Sequence, residues 1–370
     1  MPRMRSPSAD AATGPPASAP LPLRSDRVLT VRTAPRPRRR RRIPRAVLVA
    51  ALVIAVVGVL AALATVGSVA TSLVQTLSAR PPAVGTRVVA PDESKAAQAA
   101  RASQGTPEQV AAARWLAAQP TAYWLTPEID PIDEVWDRVA HLAAEAREQK
   151  AALAVVVYGL PDRDCGNHSA GGLDPDSYRA WTARIGKALA LAGDVQKIVV
   201  LEPDSIALSP TCGSPADRAS FLRAAVDNLR GTNTWIYLDG GHSAWHSAAD
   251  MASLIQATGL IGEVRGVALN VSNYQDTSAE FAYAHQLSAL LGGTHALVDT
   301  SRNGAGPAGA QWCNPPDRLV GAPGGAYGDD VVDTNLWIKP AGESDGTCNG
   351  GPAAGAWWPD AAVTLTRQSR

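Results

Sequence analysis

The stretch Ile198-Val-Val-Leu-Glu-Pro-Asp204-Ser205 decides how the chain is read. Four apolar residues run into two carboxylates, Glu202 and Asp204, split by a proline. An apolar run without alternation predicts a strand buried on both faces. Proline has no N–H for a ladder, so the strand ends near Pro203. Asp204 then falls just past the strand's C-terminal end, where barrels and open α/β sheets carry their chemistry. Two roles fit it: a catalytic acid, or the cap of the next turn.

The same unit repeats outward from this stretch. Strands are predicted at Ala122–Leu125, Leu153–Tyr158, Ile198–Leu201, Thr234–Leu238, Gly266–Leu269, His295–Val298 and Thr334–Ile338. Helices are predicted between them at about 131–149, 175–191, 215–229, 248–258 and 279–291, with an earlier one opened by Thr106-Pro107-Glu108. Strand alternating with helix implies a parallel sheet with right-handed crossovers. Seven strands suggest an α/β fold built as a distorted, incomplete parallel β/α barrel. Nearly every strand empties into polar residues: Asp164, Asp204, Asp239, Asn273, Asp299 with Arg302, and Lys339 with Asp345. In a parallel barrel these ends share one face.

The first hundred residues differ. Residues 1–45 hold 12 Arg and 2 Asp in a Pro/Ser/Ala background and read as a disordered cytoplasmic tail. Residues 46–79 carry no charge, and the 25 residues Ala46–Ala70 suffice to span a bilayer of roughly 30 Å. The flanking arginines place the N-terminus inside and the remainder outside. The segment is read as a transmembrane signal anchor with an extracellular body; a cleaved signal peptide and a secreted body are the alternative. Residues 80–106 are read as a linker and 107–370 as the functional domain. The chain is neutral overall, so the portion after Arg45 is acidic by ten charges, which argues against nucleic acid as a partner. The four cysteines, Cys165, Cys212, Cys313 and Cys348, lack metal spacing and suit two disulfides in an oxidising compartment.

Several carboxylates around one cleft suggest acid–base chemistry. Two carboxylates sharing a site force one to keep its proton, which can then pass to a leaving oxygen. Glycosidic cleavage needs that arrangement. Because the acids are spread over 180 residues rather than gathered in one loop, no metal and no cofactor is expected. Trp124, Trp245, Trp312, Trp357 and Trp358 fall at strand ends or in loops, where indole rings suit the C–H faces of sugars. Packing is the competing role for each, and for Trp136, Trp181 and Trp235 it is preferred. His242 follows Asp239 as a substrate contact; His141 lies in a helix and is read as structural. No Gly-x-Ser-x-Gly elbow and no phosphate-cradling glycine loop is present.

These residues resemble glycoside hydrolase family 6, inverting β-1,4-glucanases that cleave cellulose. The resemblance rests on Tyr158-Gly-Leu-Pro161-Asp-Arg163-Asp164-Cys165, Leu201-Glu202-Pro203-Asp204-Ser205 and Tyr237-Leu-Asp239-Gly-Gly-His242-Ser-Ala-Trp245. It continues through Asn270-Val-Ser-Asn273-Tyr274, Asp299-Thr-Ser-Arg302-Asn303, Trp312-Cys313-Asn314-Pro315 and Lys339-Pro340 to Glu343-Ser-Asp345-Gly346. It implies a seven-stranded distorted barrel. It further implies Asp204 as general acid, Asp164 as the group raising its pKa and organising the water, and Asp345 at the position of the base. Tyr158 would crowd the sugar at the cleavage point. Trp124, Trp245 and Trp312 would be platforms, with Asp239, Asn273, Lys339 and Glu343 as further substrate contacts. The family's disulfides correspond to Cys165–Cys212 and Cys313–Cys348. At one position the chain departs: Ala170 stands where some relatives carry a serine that holds the catalytic water, and Ser169 or a backbone group is expected to substitute. Only 35 positions separate Cys313 from Cys348, so the loops are short and an open, internally cutting cleft is expected. The partner is then a β-glucan, and a monomer is expected. A glucan-binding protein on the same fold, or a hydrolase of another cell-surface β-glucan, are the competing functions.

Overall fold

The computed structural model describes residues 44–370. The arginine-rich segment read as a disordered tail lies, up to residue 43, outside the described residues. Helix α1 covers Arg45–Ser78. Its portion Arg45–Leu63 has a mean hydropathy of 3.1.

From Leu63 onward the chain forms one compact unit. Its sheet has seven strands: β1 (Tyr123–Leu125), β2 (Leu153–Val157), β3 (Lys197–Leu201), β4 (Thr234–Asp239), β5 (Gly266–Leu269), β6 (His295–Asp299) and β7 (Val332–Leu336). Their order in space is their order in sequence, and every pair is parallel. The first and last strands are not laddered together, but the Ala122 N–H donates to the Trp337 carbonyl at 2.9 Å, so the sheet curls until its edges touch. Helices α4 (Val135–Gln149), α5 (Pro175–Leu191), α6 (Pro215–Leu229), α7 (Ala248–Thr258) and α8 (Thr277–Leu290) make the crossovers. Before them come α2 (Lys95–Ala102) and α3 (Pro107–Ala117), and α9 (Pro359–Thr366) ends the chain. The α/β incomplete-barrel expectation holds.

Side-chain period two sorts the strand residues into two cores. Val155, Val157, Val199, Leu201, Ile236 and Leu238 pack outward against helix residues such as Val139, Tyr178, Trp181 and Leu222. Ala154, Val156, Ile198, Val200, Tyr237, Ala268 and Leu297 fill the barrel interior. This double burial is why the strands read as unbroken apolar runs. Trp181 is fully buried, as expected of a core residue. Trp136 and Trp235 are only partly buried, each lying against an arginine, Arg184 and Arg265 respectively.

The helix starts of α5 and α6 match their signals. Asp174 and Ser214 cap the first backbone N–H groups and proline takes the first helical position. Two readings need correction. Strand β7 begins at Val332, two residues earlier than the hydropathy suggested, because Asp333 is buried yet satisfied. It accepts from the Tyr237 hydroxyl at 2.5 Å and from Arg265 at 2.7 and 2.9 Å. The stretch 80–106 packs on the domain and is not a free linker. Val88 and Val89 are buried, the Val89 N–H donates to Ala152, and Gln149 exchanges two hydrogen bonds with the Ala90 backbone. Composition hid this because the attachment combines a short apolar pair with backbone hydrogen bonds.

Helices α5 and α6 approach closely at Gly186. A Cβ there would lie 1.9 Å from the Asn228 carbonyl oxygen. An alanine in a free helix gains about 1 kcal/mol over glycine. Here the clash should reverse the sign, and Gly186→Ala is expected to destabilise by about 2 kcal/mol in chemical denaturation. A variant as stable as the parent would show that the two helices can part without cost.

Candidate active site

The C-terminal ends of the strands open into a cleft of about 760 Å³. Eleven of the twelve catalytic and substrate-binding residues expected from sequence line it. They are Trp124, Tyr158, Asp164, Asp204, His242, Trp245, Asn273, Trp312, Lys339, Glu343 and Asp345. The twelfth, Asp239, is 1% exposed and lies under the cleft floor, so it meets Asp204 and not the open cleft.

Asp204 follows β3 with φ of 67°, and Glu202 two residues earlier has φ of 50°. Each left-handed L-residue costs about 1 kcal/mol or more and persists where neighbours hold it. Glu202 is held by accepting the N–H groups of Gly159 and Leu160 at 3.0–3.1 Å. Asp204 is held by its own N–H, which donates to Asp239 Oδ1 at 3.1 Å; the same oxygen accepts from Gly241 at 3.1 Å. Two N–H donors favour the ionised form of Asp239. Among the described residues no donor reaches the Asp204 carboxyl. Burial raises its pKa well above the usual carboxylate range, and the charges of Asp239, Asp164 and Asp345 push the same way against Lys339. Asp239 is a larger contributor than Asp164, which the sequence reading had named.

Asp164, also left-handed at φ 58°, is tied to Ser169. Its Oδ2 accepts the Ser169 N–H at 2.8 Å and the Ser169 hydroxyl at 2.7 Å. That hydroxyl also lies 3.0 Å from the Tyr158 hydroxyl. Ser169, next to Ala170, thus bridges Asp164 and Tyr158. Arg163 braces the loop. It donates to the carbonyls of Tyr158 and Ser169, both at 2.9 Å, and pairs with Glu128 at 2.8 Å.

Asp345 is engaged on both oxygens. Oδ1 accepts from Arg302 at 2.8 Å; Oδ2 accepts from the Tyr274 hydroxyl at 2.8 Å and the Asn314 N–H at 3.0 Å. Tyr274 stood in the sequence motif without a role. Lys339 is nearly buried, with Nζ 5.2 Å from the Trp124 ring centre. The Trp124 indole N–H donates to Ile338 at 2.8 Å. Glu343 faces Lys95 of α2 at 3.6 Å, a contact that sequence reading missed because Lys95 sat in the supposed linker. Trp245 stacks on His246 and lies beside His242, and burial pushes the His242 pKa down to about 4, so its ring is neutral near pH 7. Asn273 spends its amide N–H on the Val271 carbonyl. Trp312 is half exposed on the rim. The disulfides pair as expected: Cys165–Cys212 joins the Asp164 loop to the segment after Asp204, and Cys313–Cys348 joins the Trp312 loop to that of Asp345.

The sequence profile for Glycosyl hydrolases family 6 matches residues 84–369. The chain belongs to that family. It is 39% identical over 263 residues to an endoglucanase A from Cellulomonas fimi, covering 69% of this chain and 56% of that protein. It is 36% identical over 282 residues to an endoglucanase A from Thermobispora bispora, covering 74% of this chain and 60% of that one. The chain thus spans somewhat over half the length of these relatives. Among solved structures, the endoglucanase Cel6 from Mycobacterium tuberculosis superposes with a TM-score of 0.69 at 36% identity. That match covers 77% of this chain and 98% of the other, which was solved with a thio-linked cellobioside. The family match begins at residue 84, in agreement with the packed lead-in.

Three buried carboxyls, Glu202, Asp239 and Glu280, are each raised to about 7, with burial the first cause. An unfolded chain holds such protons near pH 4. Between those values the folded state binds more protons, so its stability is greatest at low pH and falls as pH rises toward 7. The melting temperature should therefore decline from pH 5 to 8. Glu280→Gln should flatten that slope, and a melting temperature that climbs over the interval would contradict the assignment.

Proposed function

We propose that the chain is an inverting endo-β-1,4-glucanase acting on cellulose or a related β-glucan. The observation that carries this is Asp204: a carboxyl that no donor reaches among the described residues, facing the cleft, with the charges of Asp239, Asp164 and Asp345 acting on it. A carboxyl so placed keeps its proton at neutral pH and can deliver it. In the proposed reaction the C1–O bond to the leaving sugar breaks and the leaving oxygen takes the Asp204 proton. A water attacks C1 from the opposite face, inverts the anomeric centre and loses its extra proton to solvent water in the open cleft. Asp345 stands on the water's side. Because both its oxygens already accept hydrogen bonds, its contribution is a fixed negative charge that favours the cationic sugar. Asp164 and Ser169 orient the water and bind Tyr158, whose ring crowds the sugar at the cleavage point. Trp124, Trp245 and Trp312 serve as platforms, and Lys339 and Glu343 bind sugar hydroxyls. The half-exposed Trp312 supports an open groove and internal cutting. The relatives named endoglucanase favour the same reading.

Asp204→Asn is expected to lower release of reducing ends from carboxymethylcellulose about 10³-fold while glucan binding persists. Asp239→Asn removes a negative charge beneath the acid, so the alkaline limb of kcat/KM should move to lower pH; an unmoved limb would separate the two groups. Fresh products should carry the α configuration by NMR, and β products would rule out inversion.

We also propose that Arg45–Leu63 anchors the enzyme with its domain outside the membrane, on the strength of the segment's length and hydropathy. Cell fractionation should leave the activity in the membrane pellet until detergent is added. Activity in the supernatant without detergent would favour cleavage of the segment and secretion.

A further inference from the structure

Asp92, His141 and Glu145, none of which lines the cleft, come together where the chain ahead of α2 crosses α4. His141 and Glu145 are one helical turn apart on the same face. The His141 Nε2 lies 2.9 Å from Asp92 Oδ1 and 3.8 Å from Glu145 Oε2. All three ligand atoms fall within 4.8 Å of one another. A cation bound at about 2.0–2.2 Å from each ligand asks for separations of this size.

The second observation is at Glu145. The residue is only 7% exposed. Its Oε1 accepts the Asp92 N–H at 2.8 Å, whereas Oε2 is buried without a hydrogen-bond partner. A buried carboxylate oxygen left without a donor is costly, and this one faces the imidazole. Arg138, whose charge acts on Asp92 and Glu145, makes its ion pairs with Asp130 at 2.6 Å and with Glu93. The Asp92 side chain is 56% exposed, which leaves the outer side of the cluster open to water.

We infer that Asp92, His141 and Glu145 bind a divalent transition cation of the zinc class. One imidazole nitrogen and two carboxylates with an open fourth position suit zinc; calcium takes six to eight oxygens and is disfavoured. The imidazole would offer Nε2, with its proton on Nδ1. Such an ion would fasten residues 90–92 to α4, beside the Gln149 contacts one turn further along. Three residues past Asp92, Lys95 reaches Glu343 at the cleft, so the clamp would fix one wall of the binding site from behind.

The test uses the untagged full chain in detergent, first stripped with chelator. Zinc chloride should bind at one equivalent, and at a hundredfold excess over its Kd should raise the melting temperature by about 4 °C, while calcium chloride should not. Cobalt(II) should give a visible absorption band at the same stoichiometry. His141→Ala and Glu145→Gln should each abolish the zinc increment and the cobalt band. Two variants are used because losing the His141–Asp92 contact can itself lower the melting temperature; only the increment with zinc is read. No increment in the parent chain, an equal one with calcium, or one that survives in both variants would overturn the assignment.

Discussion

The site depends on buried carboxylates at strand ends that accept backbone N–H groups from neighbouring loops. Glu202, after β3, holds Gly159 and Leu160 of the β2 loop. Asp239, closing β4, holds Asp204 of the β3 loop. Asp299, closing β6, accepts from Ser272 after β5, from Ser301, and from Ile338 and Lys339 after β7. Each acid ties its own strand's end to the loop of a neighbour. An open-edged barrel has no closed ladder to set its rim, and these bonds do that work. They also satisfy N–H groups that would otherwise be buried without partners in the sharp turns beyond the strands.

The same bonds explain how strained backbone persists around the cleft. Asp164, Cys165, Glu202, Asp204, Asn270 and Ser272 are all left-handed. Without fixed acceptors beneath them these turns would relax toward ordinary φ and swing their side chains away. The disulfides act on the same loops from the outer side, tying the Asp164 loop to the segment after β3 and the Trp312 loop to that of Asp345. Glu280 does the equivalent for the loop bearing His242 and Trp245, accepting the Ser243 N–H at 2.9 Å.

Much of this was legible in the sequence. Fully buried strands left unbroken apolar runs, and proline after Asp or Ser marked the starts of α5 and α6. The excess of carboxylates at strand ends was visible too. What one dimension could not show is that these acids divide into two kinds. Asp164, Asp204 and Asp345 reach the cleft; Glu202, Asp239 and Asp299 pin backbone beneath it. The division depends on which way a side chain turns after the last ladder bond. Left-handed φ occurs in both kinds, at Asp164 and Asp204 and also at Glu202, so backbone conformation alone does not sort them. Strand β7 was displaced because Asp333 looks like a loop residue until Tyr237 and Arg265, from distant segments, supply its partners. The lead-in was missed because a short apolar pair, Val88 and Val89, anchors it in the core, helped by main-chain hydrogen bonds that leave little trace in composition.

The contrast between Asp204 and Asp345 follows from the same distribution of donors. Strand-end loops bring N–H and O–H groups in number, and nearly every carboxylate on this face has been given some. Asp345 has a guanidinium, a phenol and a backbone N–H. Asp164 has a hydroxyl and an N–H. Of Asp164, Asp204 and Asp345, Asp204 alone is reached by none among the described residues, and the negative field of the others falls on it. The Lys339 charge offsets that field only in part, and a proton does the rest. The turn that carries Asp204 is oriented so that its N–H, not its carboxyl, meets Asp239, which leaves the carboxyl free to line the cleft. The left-handed φ at Asp204 is therefore as much a part of the proposed chemistry as the carboxyl itself.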